Sequence, residues 1–128
     1  MSILSIFPIA LGGAIGAVMR HYAGSAALAA FGAAFPWGTL IVNVTGSAIM
    51  GVLIATFAQT EGVSPALRAF LTVGVLGGFT TFSTFSLDVV SLWERGEVFA
   101  ALGYVVASVV ISVAALAAGL YGTRMILS

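Results

Sequence analysis

The residues best placed to do chemistry in this chain lie in one stretch, Gly77-Gly78-Phe79-Thr80-Thr81-Phe82-Ser83-Thr84-Phe85-Ser86. It offers five hydroxyl side chains, paired glycines and three phenylalanines, and no charged residue stands between Ala69 and Leu87. A run this apolar reads as a membrane span, yet hydrocarbon gives a hydroxyl no partner. The hydroxyls must therefore face a polar path, a bound ion or another subunit. Phenylalanines at intervals of three share one side of a helix, with hydroxyls beside them. Ring edges carry the positive side of the aromatic quadrupole, and neutral hydroxyls donate hydrogen bonds, so the combination suits a small anion. The plain alternative for the rings is packing against lipid or neighbouring helices, and Phe79 fits it best.

Other polar groups in apolar surroundings extend the pattern. Asn43 falls inside Gly38-Thr39-Leu40-Ile41-Val42-Asn43-Val44-Thr45-Gly46, where an amide either bonds a neighbouring helix or meets a ligand. Tyr104, Ser108 and Ser112 are spaced i, i+4, i+8 and so form a row along one helix face. A single serine in such a helix usually bonds back to its own backbone, but three donors in a row headed by a tyrosine point to a track. Arg20 either snorkels to headgroups or lends positive potential to an anion entrance. His21 beside it is assigned interfacial packing and no chemistry.

The elements that position these groups follow from composition and charge. Of the 128 residues 61% are hydrophobic and 6% charged, with a mean hydropathy of +1.21, far from the roughly 25% charged residues of a soluble domain. One all-α membrane domain covering residues 1–128 is expected. Charged and breaker residues divide it into four spans: Ile3 to Met19 closed by Arg20-His21-Tyr22, Trp37 to Ala58, Ala66 to Trp93, and Val98 to Ile126. Each approaches or exceeds the roughly 20 residues that cross a bilayer. Residues Ser25 to Phe35 are too short to span and too apolar for a watery loop, which predicts a short interfacial helix. Trp37, Trp93 and Tyr22 are expected at the interfaces. Small-xxx-small patterns at Gly12/Gly16, Ser47/Gly51, Gly74/Gly78 and Ala115/Gly119 predict close helix packing, within or between subunits.

Topology is left nearly unbiased. With both termini on one side, Arg68 and Arg124 flank that side while Arg20 and Arg95 flank the other. Orientation follows Lys/Arg asymmetry, and here it is nil; insertion in both orientations would let one gene make an antiparallel dimer. Several function classes drop out. There is no cysteine for a thiolate site and no lysine or basic run for nucleic acid. One histidine and no evident nucleophile–base pair argue against an enzyme. A small dual-topology multidrug exporter shares the size, but needs a membrane-embedded carboxylate, and Asp88 and Glu94 read as interfacial. A holin-like pore leaves the third-span hydroxyls unexplained. The N-terminus lacks a positive n-region and is expected to be a retained span.

The chain resembles the Fluc (CrcB) fluoride channels. The likeness rests on Gly-Gly-x-Thr-Thr-Phe-Ser-Thr-Phe in the third span, Gly-Thr-Leu-x-Val-Asn-x-x-Gly in the second and Gly-Ala-x-x-Arg in the first. It implies passive export of cytoplasmic fluoride across a bacterial inner membrane, relieving fluoride toxicity, by an antiparallel dual-topology homodimer with two pores. It further implies a third helix broken mid-membrane, with a structural, untransported Na+ held by the backbone carbonyls of Gly77 and Thr80. The fluoride pore would be lined by Phe82 and Phe85, by Asn43, and by the hydroxyls of Ser83, Thr84, Tyr104, Ser108 and Ser112, with Arg20 at the entrance. Partners are then fluoride, a second copy and lipid.

Overall fold

A computed structural model of the chain describes residues 3–128. After a turn of 3-10 helix at Ile3–Ser5, α1 runs from Ile6 to Phe31 and α2 from Trp37 to Gln59. The third span comprises α3 (Pro65–Ala69), a π-helical segment (Phe70–Leu76), α4 (Gly77–Phe79) and α5 (Ser83–Glu94); α6 covers Val98–Leu127. Four stretches are long and apolar enough to cross a membrane: Ile3–Phe31, Trp37–Gln59, Pro65–Glu94 and Val98–Leu127. The chain is all-helical among its described residues.

The expected boundaries hold to a residue or two in the last three spans. The first differs. No proline stands between Met19 and Phe31, and the alanine-rich stretch there continues the helix through Gly24. It stops only at Gly32, whose φ of +79° few side-chain-bearing residues adopt and whose N–H bonds Leu28 O at 2.9 Å. The interfacial helix expected over residues 25–35 is therefore mostly the end of α1. Arg20 and Tyr22 lie well inside α1 rather than at its end. The third span begins on a conventional signal: Ser64 Oγ accepts from Leu67 N–H at 3.1 Å, with Pro65 at the first helical position.

Short connections run successive spans antiparallel, so α1 lies beside the third span and α2 beside α6. The small residues set both pairings inside one subunit. A methyl built on Gly78 would come within 2.6 Å of Gly13 O, and one on Gly74 within 2.9 Å of the Gly12 Cα. Gly51 and Gly119 are equally closed, against Leu116 and Ala48 of the opposing helix. A compact core of Leu40, Phe85, Leu92, Ala101 and Tyr104 forms where α2, α5 and α6 meet. Long apolar side chains such as Phe7, Val106 and Val113 point outward, as they do when the solvent is lipid.

Candidate functional site

The site is organised by an interruption in the third span. Helix stops at Phe79, Thr80 turns to an extended ψ of 158°, and helix resumes at Ser83. Interrupted backbone needs partners, most of all away from water. Three side chains supply them. Asn43 of α2 forms a two-point clamp on Thr81: its Oδ1 accepts from Thr81 N–H at 2.8 Å and its Nδ2 donates to Thr81 O at 3.0 Å. Arg20 of α1 donates from Nε to Gly78 O at 3.0 Å. Thr81 Oγ1 caps α5 by accepting from Thr84 N–H at 3.1 Å.

The interruption leaves several carbonyls without their helical donors, those of Gly77 and Thr80 among them. In a continuous helix Gly77 O would accept from Thr81 N–H and Thr80 O from Thr84 N–H. Those donors are diverted to Asn43 and to the Thr81 hydroxyl. Gly77 and Thr80 thus present hard oxygen ligands that could hold a small cation. Among the described residues no cluster of three His, Asp or Glu side chains offers an alternative metal site.

Past the interruption the expected site residues separate into groups. Asn43, Phe82, Phe85, Ser108 and Ser112 line one cavity of about 330 Å³, together with Ser47, Thr80 and Thr81. The rings of Phe82 and Phe85 are 5.5 Å apart at 53°. Phe85 is buried, whereas Phe82 is 78% exposed on one subunit. Ser108 Oγ and Ser112 Oγ are buried with no hydrogen-bond partner. They contrast with Thr45 and Thr56, whose hydroxyls bond back to the carbonyls of Ile41 and Val52, each at 2.7 Å. Unused donors in the wall of a cavity are groups held ready for something that accepts hydrogen bonds.

The other residues lie elsewhere. Arg20 and Thr84 line a second pocket of about 280 Å³ between α1, α2 and α5, with His21, Thr39 and Thr81; Thr81 borders both pockets. Tyr104 is fully buried beneath Phe85, with ring centroids 5.1 Å apart, and its hydroxyl donates to Asp88 Oδ2 at 2.9 Å. The row Tyr104–Ser108–Ser112 therefore shares a face, but its first hydroxyl is engaged with Asp88. Ser83 is exposed on the outside of α5. Phe79 takes no part in the ring stack: its edge packs on Gly46 of α2. The common side expected for the three rings is split, because the interruption turns the chain between Phe79 and Phe82.

Sequence reasoning missed Ser47, Thr81 and Asp88. Ser47 lies four residues after Asn43, and Asp88 four after Thr84, so the i, i+4 spacing was the available signal. Asp88 read as interfacial because charge normally marks a span's end, yet it reaches into the bundle to accept from the Tyr104 hydroxyl and, with Thr39, Ser91 and Arg95, borders a pocket of about 400 Å³.

Comparison with known proteins adds a family. The family described as CrcB-like protein, Camphor Resistance (CrcB), matches residues 7–120. The chain is 58% identical over 119 residues to the fluoride-specific ion channel FluC of Chelativorans sp. (strain BNC1), covering 93% of this chain and 95% of that protein. It is 53% identical over 117 residues to FluC of Rhizobium etli (strain CIAT 652), covering 91% and 94%. With FluC of Nitrobacter winogradskyi it shares 49% over 121 residues, covering 94% and 96%.

Proposed function

The chain belongs to the CrcB family, and on that premise we propose that it is a fluoride-specific channel passing the ion down its electrochemical gradient. It is a multi-pass protein of the bacterial plasma membrane and not an enzyme. The observation that carries the proposal is the cavity lined by two phenylalanine rings and by two serines whose hydroxyls have no partner. Fluoride holds its water strongly, so a selective pore must replace that shell with several donors at once. Ser108 and Ser112 are free to donate, and Asn43 Nδ2 keeps one hydrogen beyond the one given to Thr81 O. Neutral donors pass the ion on where a bare lysine would trap it. Phe82 and Phe85, presenting their positive edges, would complete a wall suited to an anion.

The assembly we propose is an antiparallel homodimer of the single domain spanning residues 1–128, each pore using both copies. Exposure of Phe82 supports it, since a ring lining a pore needs a facing wall that one subunit lacks. The third helix would be broken mid-membrane, in keeping with Thr80 falling at the middle of Pro65–Glu94. A structural Na+ would be held by Gly77 and Thr80 carbonyls from both copies; their missing helical donors support that fit. When bound, the ion would neutralise the freed carbonyl dipoles and lend positive potential to the nearby path. Arg20 adds fixed charge at the Thr84 side, where Thr84 and Ser83 would extend the polar track. Tyr104 would position Asp88 and back Phe85 rather than touch the ion first. With Arg20 inside α1, the flanking arginines are Arg95 against Arg68 and Arg124, a difference of one where the sequence count gave none, so dual topology rests on a bias that is small but no longer nil.

Asp88 is the one observation favouring a proton-coupled exporter, which requires an embedded carboxylate. The names of the relatives favour the channel. Purified protein in liposomes, given a potassium ionophore to carry balancing charge, should release fluoride and barely any chloride. Equal fluxes of the two, or fluoride release that needs a proton gradient, would overturn the channel.

A further inference from the structure

The cavity at Phe82 and Phe85 does not end at Ser112. A second cavity of about 290 Å³ shares Ser47, Ser112 and Val113 with it and continues between α2 and α6 to Leu120 and Tyr121. Ser47 stands at the junction, one turn from Asn43 on α2 and facing Ser112 on α6. Like Ser108 and Ser112, its hydroxyl makes no hydrogen bond to its own helix, unlike Thr45 two residues earlier. At the far end the Arg124 guanidinium lies over the Tyr121 ring, 5.5 Å from its centroid, which holds a positive charge at the rim of that cavity. Sign also separates the two ends of the bundle. Beside Arg124 stand Arg68 and Glu61, whereas the opposite end carries Arg95 with Glu94 and Glu97.

Resting on the fluoride reading above, we propose that the ion travels between the Phe82–Phe85 cavity and the terminal side of the membrane along this passage. Ser47 is a further donor on the way, and Arg124, seated on Tyr121, is the cationic mouth. The hydroxyl at the junction hands the ion between cavities otherwise walled by Val113, Leu116 and Ala117. The fixed cation raises the local anion concentration and acts through space, so its effect must fade as salt screens it. The Debye length falls from about 30 Å at 0.01 M to about 3 Å at 1 M.

The test is fluoride flux from liposomes at 10 mM and at 1 M potassium glutamate for the wild type, Arg124→Gln, Arg124→Lys, Tyr121→Leu and Ser47→Ala. Arg124→Gln is expected to lose roughly threefold or more at low salt and to converge on the wild type at 1 M, the scale of a single steering charge. Arg124→Lys should keep most of the wild-type salt response. Tyr121→Leu, which unseats the guanidinium, should lose part of it. Ser47→Ala should lower flux several-fold at both salts, because it removes a donor rather than a charge. Tyr121→Leu and Ser47→Ala leave the arginine balance untouched and so carry the test even if Arg124→Gln inserts in one orientation only. Variants that match the wild type at both salts would overturn the passage while leaving the channel intact. A wild type that releases no fluoride would instead fail the function itself.

Discussion

The clamp of Asn43 on Thr81 gives the sharpest prediction. Asn43→Leu keeps the bulk and removes both bonds, the 2.8 Å acceptance from Thr81 N–H and the 3.0 Å donation to Thr81 O. Hydrogen bonds between membrane helices contribute on average about 0.6 kcal/mol each, which sets a floor of about 1.2 kcal/mol. Leaving a polar group unsatisfied costs about 1–3 kcal/mol, which sets a ceiling near 6 kcal/mol for the two Thr81 groups. Thr81 borders two cavities that water can reach, so the cost falls in the lower half, about 2–3 kcal/mol. That corresponds to roughly a 30- to 150-fold shift in the folded/unfolded ratio. Released Thr81 N–H can return to Gly77 O only if the helix closes across the interruption, which would rotate Phe82 and Phe85 out of the cavity. Fluoride flux should therefore fall by more than the loss of stability accounts for. Asn43→Asp separates the two roles. Its carboxylate still accepts from Thr81 N–H, but it opposes Thr81 O and repels an anion, so stability should fall less than in Asn43→Leu while flux still collapses. Equilibrium unfolding in mixed micelles and liposome efflux measure the two quantities. Wild-type unfolding and flux in Asn43→Leu would show that the amide does not hold the interruption.

Four further outcomes are expected. Phe82→Ile and Phe85→Ile keep apolar bulk but remove the ring quadrupole, and should cut fluoride flux strongly in a folded protein; Phe79→Ile, replacing a ring packed on Gly46, should cut it much less, and the reverse order in the efflux assay would refute the ring assignment. Gly78→Ala places a methyl 2.6 Å from Gly13 O, so α1 must shift off the third span; unfolding should show a loss of about 1–3 kcal/mol, the usual cost of overpacking. Two lysines added beside Ser128 should fix one orientation and abolish flux, with rescue by an oppositely biased copy, whereas full activity from a single orientation would exclude the antiparallel dimer. Replacing Na+ by a large organic cation during purification should lower the thermal stability of the wild type, and Thr80→Ser should change this little because only backbone oxygens are used; a melting temperature indifferent to the cation would count against the sodium site.

The last three spans were legible in the sequence, because crossing a bilayer takes a long apolar run and the proline, glycine and charged residues that end these three are visible locally. Pro36, Gly62, Pro65 and Gly96 punctuate the chain where the structure has its turns. Local spacing also grouped Ser108 with Ser112 and placed Gly12, Gly16, Gly74 and Gly78 at close contacts, since a helix fixes which residues share a face. The place of Arg20, by contrast, depends on a distant contact. A lone arginine in an apolar sequence reads as the end of a span, and what gives its guanidinium a partner within the bundle is the carbonyl of Gly78, 58 residues away. The same dependence on distant partners explains why one motif divides among two pockets. Periodicity assumes an unbroken helix, and once Asn43 takes the Thr81 N–H the residues on either side of Thr80–Phe82 no longer share a phase. The pairing of Asn43 and Ser47 with Ser108 and Ser112 had no local signature at all. It exists because Gly51 and Gly119 let α2 and α6 approach to backbone contact, bringing together polar groups that stand about sixty residues apart in the chain.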